Sequence, residues 1–319
     1  MTDPSTLRPP SEPLVSTQLR WLAETAGVFQ TEDRIVHVRG DDARTWLGGQ
    51  VSNDIRSLAS DQAQYATALT VKGRVVSDLW VVDEATNGLA FVLPGVRVET
   101  ALARFEQYII MEDVELEADA SLVVLTVQGP LASEVIDGLP DSLRRYACAR
   151  LATTGFDVWV SRDECADVLA SLVARAGSIG GGAVDGAGWA EAHVALGVPR
   201  IALDFGDDTY PQEAGLGPRA LSFSKGCYLG QEVVYMLHNR GQLARRLVQI
   251  EAPPEATLAP GATVVDGEGK RLGEVTSSST QREGQRALGL AFVKRAFSEP
   301  EQTVWVDGSP CRITRVVGA

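Results

Sequence analysis

A short pattern that occurs twice limits what this chain can fold into. Residues 38–49 follow the pattern V-x-G-x-x-A-x-x-x-L-x-G, and residues 127–138 follow it with Ile in place of Leu. The offset is constant, because 127 − 38 and 138 − 49 both give 89. A strand that enters a helix through a glycine turn produces this pattern, so its repetition predicts two related α+β subdomains. The alternative is chance similarity of a common turn.

The last quarter of the chain has a different pattern, in which short β-rich segments are mostly separated by Gly or Pro turns. These segments are residues 247–251, 263–266, 272–277, 287–293, 303–307 and 311–317. Such regular spacing predicts a separate antiparallel barrel or sandwich. We therefore expect an α+β region of two interleaved subdomains over residues 16–243 and a barrel over residues 244–319. Residues 1–15, which contain four prolines, are expected to form a disordered lead-in.

The charge balance and the cysteine spacing exclude several classes of protein. Forty-two acidic and 29 basic side chains give a net charge of −13, which repels phosphate backbones, so direct binding to nucleic acid is not expected. The four cysteines form no C-x-x-C pair, which predicts neither a disulfide framework nor a metal site. Without a signal peptide or a bilayer-spanning stretch, the protein is expected to be cytoplasmic and to bind no membrane.

The densest chemistry of the sequence lies in residues 225–232, which read K-G-C-Y-L-G-Q-E. A positive charge on Lys225 favours the thiolate form of Cys227, the form that acts as a nucleophile. The alternative is that Cys227 is a small buried hydrophobic residue. His238 lies eleven residues after Cys227 and is a candidate base for the thiol, although no third group is evident.

Two other stretches place polar groups at the ends of predicted elements, where sites are commonly built. One is Asn53-Asp54, after a predicted helix, and the other is K-G-R at residues 72–74, in a predicted hairpin. No catalytic triad, H-E-x-x-H or G-x-S-x-G pattern is present, so standard hydrolase functions have no support. The residues alone indicate a cytosolic multidomain protein with a candidate thiol site.

Four motifs, taken in order, resemble the YgfZ family. They are V-R-G-D-D-A-R-T-W-L-G-G-Q-V-S-N-D at residues 38–54, K-G-R at 72–74, G-V-P-R at 197–200 and K-G-C-Y-L-G-Q-E at 225–232. YgfZ proteins are folate-binding relatives of GcvT, the aminomethyltransferase of the glycine cleavage system. The resemblance runs from about Trp21 over nearly the whole chain, and the cysteine of the last motif separates YgfZ from GcvT.

This resemblance implies a GcvT-like three-domain ring, in which two α+β regions and a C-terminal antiparallel β-barrel surround a channel for tetrahydrofolate. It also implies folate-dependent support of iron–sulfur cluster assembly or repair. The implied partners are folate and iron–sulfur enzymes, or the assembly factors of those enzymes. Some of these enzymes modify tRNA, so an effect on tRNA would be indirect.

Matching positions in the family motifs give a set of expected site residues. Those expected to face the folate channel are Asn53, Asp54 and Arg74. Those expected to form a thiol-bearing wall are Lys225, Cys227, Gln231 and Glu232, with Cys227 as a redox or transient covalent group. Two further arginines, Arg240 and Arg245, are expected on electrostatic grounds to meet the anionic glutamyl tail of the folate.

One departure from the family pattern affects the expected reaction. These families commonly read E-A-G-x-P, whereas residues 195–199 read A-L-G-V-P, so Ala195 replaces a carboxylate expected to contact the pterin. Aminomethyl transfer, or demethylation of a small amine, is therefore an alternative function. A scaffold with a vestigial folate pocket is a further alternative.

Overall fold

The structure is a computed structural model that describes residues 17–85, 88–241, 243–279 and 286–318. The expected lead-in at residues 1–15 lies outside these ranges. The helices are α1 Thr17–Glu24, α2 Ala43–Gln50, α3 Val98–Glu106, α4 Ala132–Ile136, α5 Cys165–Ser178, α6 Gly186–Leu196, α7 Gly217–Ala220 and α8 Gln231–Arg240. No helix within the described ranges is long and apolar enough to cross a membrane.

The strands form two five-stranded sheets and a closed barrel. Those of the first sheet, in spatial order, are β3 Ala63–Leu69, β4 Val75–Asp83, β5 Leu89–Leu93, β2 Arg34–Arg39 and β6 Glu115–Asp119. Those of the second sheet are β10 Gly182–Ala183, β1 Gly27–Gln30, β7 Leu122–Gln128, β9 Gly155–Ser161 and β8 Arg144–Ala147. Those of the barrel are β11 Arg245–Ala252, β14 Ala287–Lys294, β13 Arg271–Ser278, β12 Thr263–Val265, β15 Thr303–Val306 and β16 Ser309–Val316.

The repeated sequence pattern is one strand–turn–helix unit used once in each sheet. In the first sheet β2 passes through Gly40 into α2, and in the second sheet β7 passes through Gly129 into α4. Both glycines have positive φ, 104° and 134°, and a Cβ at Gly40 would lie 2.0 Å from the carbonyl oxygen of Asp113. Only glycine tolerates both constraints. The prediction of two related α+β subdomains is confirmed.

The six predicted β segments of the C-terminal quarter are the six strands of the barrel. All neighbouring barrel strands pair antiparallel. Its interior is filled by aliphatic side chains, including those of Val248, Ile250, Val293 and Ile313. The prediction of an antiparallel barrel is therefore confirmed.

The glycine-rich stretch at residues 177–188 contains a short strand and the start of a helix. Its pattern is typical of a mobile connector, but Gly182 and Ala183 form β10, which pairs parallel to β1. Asp185 caps α6 by accepting a 2.8 Å hydrogen bond from the backbone N–H of Gly188. Gly182 is needed for packing, because a Cβ there would lie 2.7 Å from the Trp21 ring.

The two sheets and the barrel pack against one another. Ile35, Val92, Val124 and Trp159 belong to one apolar cluster that joins the two sheets. A second cluster joins the β3–β4 hairpin, the 201–234 region and the barrel, and it includes Tyr65, Tyr228 and Phe292. The polar side chains described next lie where these clusters meet.

Candidate functional site

Tyr65 on β3 and Asp78 on β4 are diagonal neighbours, because Tyr65 lies opposite Trp80 and Asp78 lies opposite Thr67. The Tyr65 hydroxyl donates a 2.8 Å hydrogen bond to Oδ2 of Asp78. The other carboxylate oxygen, Oδ1, is buried and accepts no hydrogen bond from any described residue. Burial raises the pKa of Asp78 to about 6, so the group is mainly ionised at neutral pH. Asp78 therefore offers an acceptor that a ligand or a water molecule can use.

A buried arginine with two carboxylates lies beside this pair. Arg150 binds Asp157 through two parallel hydrogen bonds, of 2.8 Å from Nε and 2.7 Å from Nη2, and donates a third, of 2.7 Å, to Asp33. Burial raises the pKa of Asp33, although Arg150 acts in the opposite direction. Arg150 and Asp33 are close enough to Asp78 to interact with it electrostatically.

Aromatic rings and one further arginine complete this group. The rings of Tyr65 and Trp80 are 4.9 Å apart, and the guanidinium of Arg219 lies 5.0 Å and 5.8 Å from their centroids. His193 is close enough to Arg150 and Arg219 to interact with both, and burial lowers its pKa to about 3, so this imidazole is neutral. We call the set Tyr65, Asp78, Arg150, Asp33, Asp157 and Arg219 the junction cluster.

The sequence prediction missed the junction cluster. One signal was available, because β4 is an apolar run, V-V-S-D-L-W-V-V, in which Ser77 and Asp78 are conspicuous polar residues. The remaining members come from positions that are distant in sequence. Only the packing of the two sheets brings Asp33, Arg150 and Asp157 beside Asp78.

Lys225 was expected to contact the cofactor and to activate Cys227, but its ammonium has another role. Nζ donates to the backbone carbonyls of Gly48, Val51 and Asn53 at 2.6, 2.7 and 2.8 Å. These bonds use all three hydrogens of the ammonium. Burial lowers the pKa of Lys225 to about 8. Lys225 thus holds residues 48–53, the end of α2 and the turn after it, which we call the loop at residues 48–53, and has no hydrogen left for a ligand.

Asn53 and Asp54 were expected to face the folate channel. The Asn53 side chain donates from Nδ2 to the carbonyls of Tyr65 and Arg219, both at 2.8 Å, so it joins the loop to the junction cluster. Asp54 forms an ion pair of 2.5 Å with Arg56, and hydrogen bonds from Arg56 lower the pKa of Asp54 to about 2. The amide hydrogens of Asn53 are used within the protein, while Asp54 remains half-exposed.

Cys227 is exposed, whereas the other three cysteines are buried. The alternative that Cys227 is a buried hydrophobic residue is therefore wrong. Gln231 and Glu232 begin α8, the first half-buried and the second exposed. His238, considered as a base for the thiol, stacks on Phe223 with ring centroids 3.9 Å apart.

The expected arginines fall into a separate group. Arg74 and Arg245 converge on the same two acids: Arg74 Nη1 lies 2.5 Å from the Asp208 carbonyl, and Arg245 lies 3.0 Å from the Asp208 carboxylate. Each arginine also lies 3.5 Å from the buried carboxylate of Glu213. Both arginines therefore have partners within the protein. The side chain of Arg240, the other expected contact, lies outside the described residues.

Ala195 occupies an apolar environment. It is 8% exposed and packs in a cluster with Leu22, Leu151 and Leu288. Its carbonyl accepts a 3.0 Å hydrogen bond from the buried Gln249 side chain. No group of His, Cys, Asp or Glu within the described residues is arranged to hold a metal ion.

Comparison with known proteins agrees with this domain composition and fold. The family model described as the GCVT N-terminal domain matches residues 8–163, and the one described as the glycine cleavage T-protein C-terminal barrel domain matches residues 245–317. The crystal structure of glycine cleavage system aminomethyltransferase T from Bartonella henselae has the same fold. Its TM-score is 0.81 at 19% identity, covering 94% of this chain and 87% of that chain.

Several curated proteins are similar in sequence. The tRNA-modifying protein YgfZ of Vibrio atlanticus (strain LGP32) is 28% identical over 239 residues, 74% of this chain and 72% of that protein. The protein of the same name from Aliivibrio fischeri (strain ATCC 700601 / ES114) is 26% identical over 276 residues, 84% of this chain and 85% of that protein. An aminomethyltransferase of Anoxybacillus flavithermus is 27% identical over 292 residues, 85% of this chain and 79% of that protein. With both T-protein domain models matched over most of its length, the chain belongs to the GcvT-like superfamily, and it is similar in sequence to YgfZ proteins of that superfamily.

Proposed function

We propose that this protein binds tetrahydrofolate, or a derivative of it, at the junction cluster. The observation that carries the proposal is the buried Oδ1 of Asp78, which has no partner in the described part of the chain. A reduced pterin presents several N–H donors on a planar ring, and an ionised carboxylate with a free oxygen accepts such a donor strongly. The family and the GcvT-like fold support the same ligand.

The surroundings of Asp78 fit a ring of this kind. Tyr65 and Trp80 present aromatic surfaces, and Arg219 lies over both. A planar heterocycle packs well on such surfaces. When bound, a reduced folate supplies ring nitrogens that carry one-carbon units. The residues described here would bind and orient it, with Asp78 as the acceptor for a ring N–H.

We further propose that Cys227 acts as a redox or transient covalent group. Its thiol is exposed, which a group that meets a partner molecule requires. The proposed role of the folate-bound protein is to support iron–sulfur cluster assembly or repair, and through it the enzymes that modify tRNA. The net charge of −13 supports an indirect effect on tRNA, and curated relatives carry the name tRNA-modifying protein.

Aminomethyl transfer is the second candidate, since the fold match is to an aminomethyltransferase. The apolar packing of Ala195 argues against it, because the pterin-contacting carboxylate that the resemblance leads one to expect is absent. Transfer of a one-carbon unit from a small amine to tetrahydrofolate in steady state would decide for this candidate.

Calorimetric titration of the full chain with tetrahydrofolate tests the proposal. We expect saturable binding with a one-to-one stoichiometry. Absence of binding at high micromolar ligand would contradict the proposal and favour a scaffold with a vestigial pocket.

A further inference from the structure

The segment that carries Cys227 is attached on both sides to the loop at residues 48–53. Before the thiol, Lys225 Nζ donates to three carbonyls of this loop at 2.6–2.8 Å. After the thiol, the backbone N–H of Leu229 donates to the carbonyl of Gly49 at 3.0 Å. The backbone N–H of Ser222 donates to the Ser52 carbonyl, also at 3.0 Å. The exposed Cys227 thus lies between residues that are hydrogen-bonded to the loop at residues 48–53.

The Lys225 attachment is the strongest of these contacts. A buried ammonium forms charge-assisted hydrogen bonds, which are roughly twice as strong as neutral ones. The side chain also spans a large sequence distance, since it joins residue 225 to residues 48–53. Asp54 is close enough to interact electrostatically with Lys225, which favours the charged form. Removing the ammonium would leave three carbonyls without their donor.

The same loop continues into the junction cluster. The backbone carbonyl of Asn53 accepts a hydrogen bond from Lys225 Nζ, and the Asn53 side chain donates to the carbonyls of Tyr65 and Arg219. Tyr65 in turn donates its hydroxyl to Asp78. A continuous series of hydrogen-bonded and covalently joined groups therefore runs from the unpaired carboxylate oxygen to the thiol segment.

We infer that Lys225 is a positioning residue that couples the junction cluster to the Cys227 segment, so that occupancy of the cluster by folate fixes the presentation of the thiol. The inference rests on the proposed folate site and specifies how that site is regulated. Lys225 then serves neither as a ligand contact nor as the activator of its neighbouring thiol. A ligand that holds Tyr65 and Asp78 restrains the loop, and Lys225 transmits this restraint to the thiol segment.

Hydrogen exchange of the full chain, read by mass spectrometry with and without tetrahydrofolate, tests the inference. In wild type we expect the ligand to slow exchange in residues 48–54 and 222–229 by at least about fivefold, the lower end of usual coupling energies. In Lys225→Met without ligand, both segments should exchange faster. With ligand, the variant should retain the slowing in residues 48–54 and lose it in residues 222–229.

Two control variants sharpen the outcome. Lys270→Met removes an exposed lysine in the barrel turn that precedes β13 and should behave as wild type. Lys225→Arg keeps the charge, but the planar guanidinium cannot donate to all three converging carbonyls, so we expect a partial loss of the ligand-induced slowing in residues 222–229. This variant provides the test if Lys225→Met does not fold. Circular dichroism establishes that each variant is folded.

Calorimetry on the same samples distinguishes the proposal that the protein binds folate from the inference that Lys225 couples the two segments. Wild type that binds tetrahydrofolate without any change in residues 222–229 would overturn the inference and leave the folate proposal standing. Exchange in ligand-free Lys225→Met that equals wild type would overturn it independently of folate. Wild type that does not bind tetrahydrofolate would contradict the folate proposal and with it the coupling.

Discussion

The hydroxyl of Tyr65 donates a 2.8 Å hydrogen bond to one oxygen of the Asp78 carboxylate, while the other oxygen is buried without a partner among the described residues. Asp78→Asn keeps the acceptor for Tyr65 and removes the charge. Losing a charge-assisted hydrogen bond to the ligand costs about 2 kcal/mol, so tetrahydrofolate should bind roughly thirtyfold more weakly. The matched control is Asp163→Asn, at an exposed position before α5. Equal affinity in wild type and Asp78→Asn would remove Asp78 from the site.

The raised pKa of Asp78 makes a second, independent prediction about stability. The value changes from 3.8 for an ordinary aspartate to about 6 in the fold. A raised folded-state pKa contributes stability that is present below the unfolded value and lost as pH rises through the folded value. Asp78→Asn does not titrate at this position, so its stability relative to wild type should increase by about 2 kcal/mol between about pH 4 and pH 7. Urea unfolding at both pH values measures this, and a constant difference would contradict it.

The exposed thiol is tested in cells. In a strain that lacks the protein, Cys227→Ser should fail to restore the activity of iron–sulfur enzymes, because the serine hydroxyl is a far weaker nucleophile and does not take part in redox chemistry. Cys165→Ser is the control, because that sulfur is buried against Gln30 and away from the thiol segment. Full restoration by Cys227→Ser would remove the proposed role of the thiol.

Ala195 tests how the chain departs from the aminomethyltransferase pattern. Ala195→Glu would place a carboxylate among apolar side chains, so we expect unfolding to become easier by about 2–3 kcal/mol without a gain in folate affinity. Chemical denaturation and calorimetry on the same sample give both quantities. A stable variant that binds tetrahydrofolate more tightly would show that position 195 faces the ligand.

The repeated turn makes a prediction about the fold itself. Gly40→Ala introduces a Cβ 2.0 Å from the Asp113 carbonyl oxygen at a φ of 104°, so it should destabilise the protein by about 3 kcal/mol. Gly177→Ala is the control, since that helical position has no atom within 4 Å of a new Cβ, and it should gain up to about 1 kcal/mol. Similar stability of both variants in urea unfolding would contradict this account of the turn.

Much of the fold was predictable because its signals are local. Alternating hydrophobicity predicts the six barrel strands. A glycine between two elements predicts the two strand-to-helix turns and the hairpin at Gly73, and these glycines have positive φ in the structure. The glycine-rich pattern of residues 177–188 is typical of a mobile connector, but Gly182 in this stretch forms part of β10 and packs closely against Trp21. Glycine content alone does not distinguish a flexible linker from a tightly packed segment.

The sequence by itself therefore determined the family, the repeated α+β unit, the barrel and the segment that carries Cys227, since each is recorded in neighbouring residues. Only the tertiary structure decided what the charged groups do. It paired Lys225 with the carbonyls of residues 48–53 and placed Arg74 and Arg245 beside Asp208 and Glu213. It also left one oxygen of Asp78 without a partner among the residues that the structure describes. The physical reason is that the partner of a buried charge is set by the packing of segments far apart in the chain, and no local pattern specifies that packing.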